Sequence, residues 1–331
     1  MATPETPKEP SYYGNARVDV LRFLTPPLGT VLDIGCGSGC VALGIAARDA
    51  SVRVHAVDSA ARAVECTLRG AAANGLENVT AALEAGGAVP DPGSYDLVLA
   101  NSRTSAQELG AFWHREHRQD PLPAEPGRLE ALPLAEELPG CPRAWPQQPA
   151  SDPLRLLCVG SLEPRKNHRG LLKALAWLVA QGEPQREPHV VLQLVGWAND
   201  SRVVAMVRRA QAIGLPLHWD GEADDAALRA YYQQADLCVY PSLEEGYGLP
   251  VAESLWLGRP CLSGVNGALA EHAEAGGCMA VDMASWRALA VALGQLLHDP
   301  EQLVRLQAEL SARPLRSWRE YAAAMLSLME A

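Results

Sequence analysis

Two α/β units in tandem, each a Rossmann-like, doubly wound parallel sheet, are the fold that this sequence predicts, on three observations. Strand-like apolar runs alternate with helix-period segments over 31–100 and again over 154–329, the pattern of parallel strands joined by crossover helices. Each block opens on an apolar run that ends in glycine, Val31–Gly35 and Leu154–Gly160. Between the blocks, residues 119–153 hold nine prolines and no sustained period, which reads as a linker with one helical turn near 128–137. At roughly 100–200 residues per domain, a chain of 331 residues accommodates two. The expected boundaries are 1–118, the linker 119–153, and 154–331.

In the first block, ARVDVLRFL (16–24) has a helical period that the prolines at 26 and 27 end. Strands follow at Val31–Gly35, Val52–Asp58, Val79–Leu83 and Tyr95–Ala100. Helices fit 40–48 and 60–73, the latter stopped at Asn74-Gly75. In the second block, strands are expected at 154–160, 189–195, 216–219, 236–240, 260–263 and 278–281. Helices are expected at 168–180, 202–213, 224–235, 250–257, 285–298, 300–310 and 315–329.

The formal net charge is −11, which argues against a protein whose main task is gripping nucleic acid. The eight cysteines form no CxxC pair, and Cys158 and Cys238 lie in apolar runs that read as buried strands. No apolar stretch approaches the ~18 residues of a membrane span, and the first residues lack the form of a signal peptide. A reduced, cytoplasmic setting is expected. Peripheral contact with the inner membrane face stays open. His114 and His117 sit at i, i+3, but no third ligand completes a metal pattern, so no metal site is expected.

The first candidate site is VLDIGCGSG (31–39), where a strand ends and a helix opens. Gly35, Gly37 and Gly39 allow a tight turn and close approach of a ligand to a helix N-terminus. The spacing is G-x-G-x-G, because position 40 is Cys, and so differs from the G-x-G-x-x-G of dinucleotide sites. Asp33 lies under the loop. Asp58 ends the next strand, where a carboxylate can hold ribose hydroxyls. These residues, with VHAVD and YDLVLANS, resemble class I S-adenosylmethionine-dependent methyltransferases over about 12–102. The resemblance implies a cofactor, S-adenosylmethionine, held by Asp33, Gly35, Gly37, Gly39, Asp58 and Asn101. Amine-methylating relatives carry Asn-Pro-Pro-aromatic where this chain has Asn101-Ser102-Arg103-Thr104. The proline-rich stretch then begins too soon for a full set of strands, so this first unit is expected to be incomplete.

The second candidate site spans Tyr240 to Gly258, YPSLEEGYGLPVAESLWLG preceded by the apolar run DLCV. A strand ends in a Gly-x-Gly turn, and Pro250 suits the first turn of a helix whose free N–H groups can receive phosphate or sugar oxygens. Glu245 precedes the turn and Glu253 lies one turn into the helix. Two acceptor-only carboxylates suit sugar hydroxyls better than phosphate. Compensating cations stand in GSLEPRKN (160–167), where Arg165 and Lys166 can neutralise a diphosphate. Tyr247 is the loop aromatic expected to touch a ligand, whereas Trp256 falls on an apolar helix face and reads as core.

VGSLEPRKN, EEGYGLPVAES and GRPCLSG, in that order, resemble the C-terminal half of retaining, GT-B-fold glycosyltransferases of family 4 over about 154–331. The resemblance implies that Glu245, Arg165 and Lys166 carry the chemistry, with the two cations on the leaving diphosphate. It implies that Glu253 binds the donor ribose, and that Gly246, Tyr247, Gly248, Leu249 and Gly160 complete the donor site. Glu271 stands where the family often has a glutamate ahead of the last strand. Ser161 replaces a frequent arginine, which leaves the charge to Arg165 and Lys166. SWREYAAAMLSLM (317–329) resembles the family's terminal crossing helix.

The function expected is glycosyl transfer from a nucleotide-sugar to a glycan or lipid-linked acceptor, as in bacterial polysaccharide assembly, with another chain as one source of the acceptor domain. Two alternatives stand beside it. One is a methyltransferase whose second domain recognises glycan; the other is a non-catalytic nucleotide-binding scaffold.

Overall fold

A computed structural model of the chain describes residues 30–34, 53–58, 77, 79–83, 97–116, 128–146, 153–181 and 190–330. The helices expected at 16–24, 40–48 and 60–73, the glycines Gly35, Gly37 and Gly39, and His117 lie outside the described residues. The chain divides into two compact units. The first takes in the residues up to Asn101, Ala106–Leu132 and Arg319–Ala331; the second takes in Ser102–Ser105 and Pro133–Trp318.

Among the described residues, the first unit carries five parallel strands, β1 (Thr30–Ile34), β2 (Arg53–Asp58), β3 (Val79–Leu83), β4 (Leu97–Ala100) and β5 (Arg128–Ala131), in the order β3-β2-β1-β4-β5. The order reverses between β1 and β4, where Asp33 pairs with Leu99. Ligands of open α/β sheets bind outside the carboxyl ends of strands at such a reversal. Asp33, the last residue of β2 (Asp58), and Asn101 just past β4 all stand at that edge.

β5 arises inside the stretch expected to be a linker, at the place expected to be a helical turn. Four half-buried residues, RLEA, pair in parallel with β4 from Leu97↔Arg128 to Ala100↔Ala131. Arg128 and Glu130 lie on one face and meet at 3.5 Å, the charged pattern of a strand at a sheet edge. The Arg128 guanidinium also donates to the Leu328 carbonyl at 2.9 Å. That carbonyl is on the terminal helix, whose residues from Arg319 onward belong to this unit.

The second unit has six parallel strands, β6 (Leu154–Val159), β7 (Val190–Val195), β8 (Leu217–Asp220), β9 (Leu237–Val239), β10 (Cys261–Gly264) and β11 (Cys278–Val281), ordered β11-β10-β9-β6-β7-β8. β6 is apolar on both faces because helices cover both, and four of its last residues, Leu156 to Val159, are buried. The covering helices begin with α2 (His168–Gln181), α3 (Ser201–Ala212) and α4 (Asp225–Gln234), where α1 (Arg103–Glu116) is the helix that follows β4. They continue with α5 (Leu249–Trp256), α6 (Gly267–Glu274), α7 (Trp286–His298) and α8 (Pro300–Ala312); α9 (Trp318–Glu330) is terminal. Asp200, Asp224 and Ser285 cap α3, α4 and α7, each side chain accepting from a first-turn N–H. Leu171, Leu175, Leu192, Leu237, Leu262 and Leu293 form the centre of the core.

Residues 133–146 form an irregular, largely packed segment. Ala135, Leu138 and Cys141 are buried, and the chain turns between the last two, where Cys141 N–H donates to the Leu138 carbonyl at 3.0 Å and Gly140 adopts φ 71°. The segment is tied by Glu136 N–H to the Arg316 carbonyl at 3.0 Å and by Ala144 N–H to the Trp256 carbonyl at 2.9 Å. Trp256 is buried and donates its indole N–H to the Cys141 carbonyl at 2.8 Å, in line with its reading as core.

Candidate functional site

β6 and β9 are neighbours, with Leu156 opposite Leu237 and Leu157 opposite Cys238, and they mark the reversal of strand order in the second unit. The loops that leave their carboxyl ends, 160–167 and 240–248, therefore emerge side by side. The first makes one 3-10 turn, Pro164–Lys166, and closes on Asn167, which adopts a left-handed conformation at φ 51°. Asn167 holds that turn by donating its amide to the Met283 carbonyl at 2.7 Å and accepting from Gly170 N–H at 3.2 Å. The turn rests on a close approach of two glycines: a Cβ on Gly196 would lie 2.0 Å from the Gly160 carbonyl oxygen.

The two loops meet at Glu245. Its carboxylate receives Lys166 Nζ on Oε1 at 2.7 Å and Arg165 Nη1 on Oε2 at 2.8 Å. Ser242 Oγ donates to Oε1 at 2.5 Å, and Tyr240 OH lies 3.1 Å from the same oxygen. Lys166 also donates to Tyr240 OH at 2.5 Å. The side chains of Lys166 and Glu245 are only 14% and 11% exposed, whereas Arg165 is 48% exposed. Burial alone would raise the Glu245 pKa, but Lys166 and Arg165 more than offset it and hold the carboxyl below its usual range. Arg165 loses solvation too, and the Glu245 charge still keeps its pKa above the ordinary value. The structure thus brings Glu245, Arg165 and Lys166 together as the sequence expects. It adds Tyr240 and Ser242, which alternate on an extended segment and so share a face.

The Gly-x-Gly turn is built around Gly248, at φ 94°, which precedes α5. A Cβ there would sit 2.7 Å from Leu269 Cδ2, and Leu269 is fully buried. Gly248→Ala is expected to lose about 1–3 kcal/mol of unfolding free energy from backbone strain and that contact. Urea denaturation checks this, and an unchanged midpoint would show that the loop relaxes freely. The first-turn N–H of Leu249 has no acceptor within its helix, which leaves α5 an anion-receptive start.

The structure places Tyr247 and Glu253, expected at the donor site, and Glu271, noted only for its position, as follows. Tyr247 is buried; it donates its OH to the Leu134 carbonyl at 2.7 Å and packs edge-on against His272 at 4.8 Å. Its ring therefore helps to support the loop. The Tyr247 carbonyl accepts His272 Nε2–H at 2.8 Å, which fixes the tautomer of that buried histidine. Glu253 lies on α5 with no solvent exposure, so a ligand hydroxyl reaches it only after a neighbouring group moves. Glu271 is spent on α1: it accepts Thr104 N–H and Oγ1–H, each at 2.7 Å, and Arg103 N–H at 3.2 Å. α1 has no acidic residue in its first turn, and Glu271 supplies that charge from elsewhere in the sequence. Arg103 also pairs with Glu274.

Among the described residues no group of three His, Cys, Asp or Glu could hold a metal ion. No described helix is long and apolar enough to cross a membrane.

Residues 144–311 match the family Glycosyl transferases group 1, and residues 15–107 match the family Methyltransferase small domain. The chain is 30% identical over 186 residues to D-inositol 3-phosphate glycosyltransferase 2 of Catenulispora acidiphila, covering 53% of this chain and 41% of that protein. It is 36% identical over 104 residues to O-antigen chain mannosyltransferase B of Escherichia coli, covering 31% and 26%. The chain thus spans half or less of the length of such curated relatives. Sucrose-phosphate synthase from Thermosynechococcus elongatus shares the fold at a TM-score of 0.56 and 21% identity, over 91% of this chain and 73% of that one. With the cation–carboxylate site at the strand reversal and a family match over more than half its residues, the chain belongs to the group 1 glycosyltransferases.

Proposed function

We propose that the chain transfers a sugar from a nucleoside-diphosphate sugar to a hydroxyl of a glycan or sugar-phosphate acceptor, with retained configuration. The observation that carries this reading is the meeting of Lys166, Arg165 and Glu245 where the loops after β6 and β9 emerge beside the start of α5. In the reaction the bond from the anomeric carbon to the acceptor oxygen forms, and the bond from that carbon to the diphosphate oxygen breaks. The nucleoside diphosphate leaves with the electron pair, and the acceptor proton passes to one of its phosphate oxygens. Charge therefore grows on the departing phosphate oxygens, and Lys166, Arg165 and the N–H of Leu249 are the groups that stabilise it. Glu245 takes hydroxyls of the donor sugar, Glu253 those of the ribose, and Gly160, Gly246 and Gly248 let the donor approach the backbone.

A second ligand, S-adenosylmethionine, belongs to the first unit. The match over 15–107 and the placement of Asp33, Asp58 and Asn101 at the carboxyl edge of β1, β2 and β4 support it.

A thermal-shift titration with UDP, GDP, ADP and their sugars, then S-adenosylmethionine and its demethylated product, tests both. A ligand at 100 times its Kd adds about 2.7 kcal/mol of stability. Stabilisation by one nucleoside diphosphate and its sugar is expected. Stabilisation by S-adenosylmethionine alone would reverse the assignment and make the first unit the seat of the activity.

A further inference from the structure

The two cations of the candidate donor site are already occupied. Lys166 Nζ and Arg165 Nη1 each hold one oxygen of the same carboxylate, at 2.7 and 2.8 Å, a two-point bridge of the kind that a diphosphate would make. Lys166 has little freedom to take a further acceptor. Its other neighbours are Tyr240 OH at 2.5 Å and the Tyr240 ring at 4.9 Å, and its side chain is 14% exposed. An incoming phosphate oxygen competes with Glu245 Oε1 for this ammonium, two of whose three donors are already used. A carboxylate and a phosphate of like charge do not share one buried ammonium without strong repulsion.

We propose that Glu245 is a built-in occupant of the diphosphate site, which donor binding must evict. This rests on the function proposed above and adds a competition within the site. A bare nucleoside diphosphate breaks both ion pairs and the Ser242 hydrogen bond, and it offers the displaced carboxylate nothing in return. A nucleotide-sugar breaks the same contacts, but its sugar hydroxyls donate to the displaced carboxylate. Eviction therefore weakens the product more than the substrate, and return of Glu245 to Lys166 helps expel the nucleoside diphosphate after transfer.

The test is calorimetric titration of UDP, GDP, ADP and inorganic pyrophosphate into the wild-type chain and into Glu245→Gln. Thermal unfolding establishes that the variant is folded. The neutral amide cannot compete as a charge, so Glu245→Gln is expected to bind the favoured nucleoside diphosphate about 10-fold or more tightly, the equivalent of about 1.4 kcal/mol. A residue that is only a sugar contact would leave that affinity unchanged. Ser242→Ala keeps the charge and removes the hydroxyl that holds it at 2.5 Å, and should tighten binding in the same direction by less. Wild-type binding with equal or weaker affinity in both variants overturns the competition and leaves the donor-site assignment standing. Absence of binding by all four probes to every protein overturns the donor site and the competition together.

Discussion

Turnover with the proposed nucleotide-sugar donor is expected to fall about 10²–10³-fold in Lys166→Met, the usual effect of removing one preorganised group that meets developing charge. Lys166 is the buried member of the cation pair. Its side chain is 14% exposed against 48% for Arg165, so water screens its field far less. Met keeps most of the stem that lies along Tyr240 and removes only the ammonium, so the change isolates the charge. Arg165→Gln should cost less, because its guanidinium is half in solvent. Lys166→Arg is not a rescue: a fork of five donors does not fit the point between Tyr240 OH and Glu245 Oε1. Lys166→Met also leaves Glu245 with Arg165 as its cationic partner among the described residues. The stability lost should stay below the about 3–5 kcal/mol of a buried pair broken outright, since Arg165, Ser242 and Tyr240 remain. Steady-state kinetics decide the point, and wild-type turnover in Lys166→Met would remove Lys166 from the chemistry.

The strands of the second unit were legible because buried parallel strands read as unbroken apolar runs: LRLLCV and VVLQLV need no partner to be recognised. β5 was not, since RLEA is short, half-buried and charged on one face, and only pairing with Leu97–Ala100 makes it a strand. α6 escaped for a related reason: eight residues opening on Gly267 carry too little period to stand out. At the site, the cations and the carboxylate were readable from their loops. The direction of Tyr247 was not, because its hydrogen-bond acceptor, Leu134, lies 113 residues away in sequence and nothing local announces the pairing. Glu271 matches a family glutamate by position alone, and its contact with Thr104, at the start of α1 and 167 residues away, is not legible locally. Long-range choices of this kind decide which of several suitable side chains faces a ligand and which supports the loop that does.

Acid is expected to unfold the second unit well before its carboxylates titrate, through two buried histidines. His168 opens α2 and His272 sits under the Tyr247 carbonyl; both are almost fully buried. Burial, reinforced by the Lys166 charge at His168 and by Arg313 at His272, lowers each imidazole pKa to about 4 from its usual 6.5. Arg313 cannot retreat, since its guanidinium donates to the His272 and Gly276 carbonyls at 2.6 and 2.9 Å. Between pH 6.5 and 4 the unfolded chain therefore binds protons that the folded chain refuses, and stability falls with pH across that window. Each histidine should remove about 2 kcal/mol by pH 5, and the sum is a large share of a typical domain stability. The depressed Glu245 and Glu271 carboxylates act in a lower window, where their contribution disappears as pH drops through their own pKa values. His168 provides the cleaner test, because its Nδ1 is buried without a hydrogen-bond partner. His168→Leu removes the titrating group without deserting an acceptor at Nδ1. Urea unfolding at pH 7 and pH 5 should then show about half of the wild-type loss of stability in this variant. An identical pH 5 loss in wild type and His168→Leu would mean that folded His168 takes up its proton as readily as the unfolded chain does, so that its pKa is not depressed.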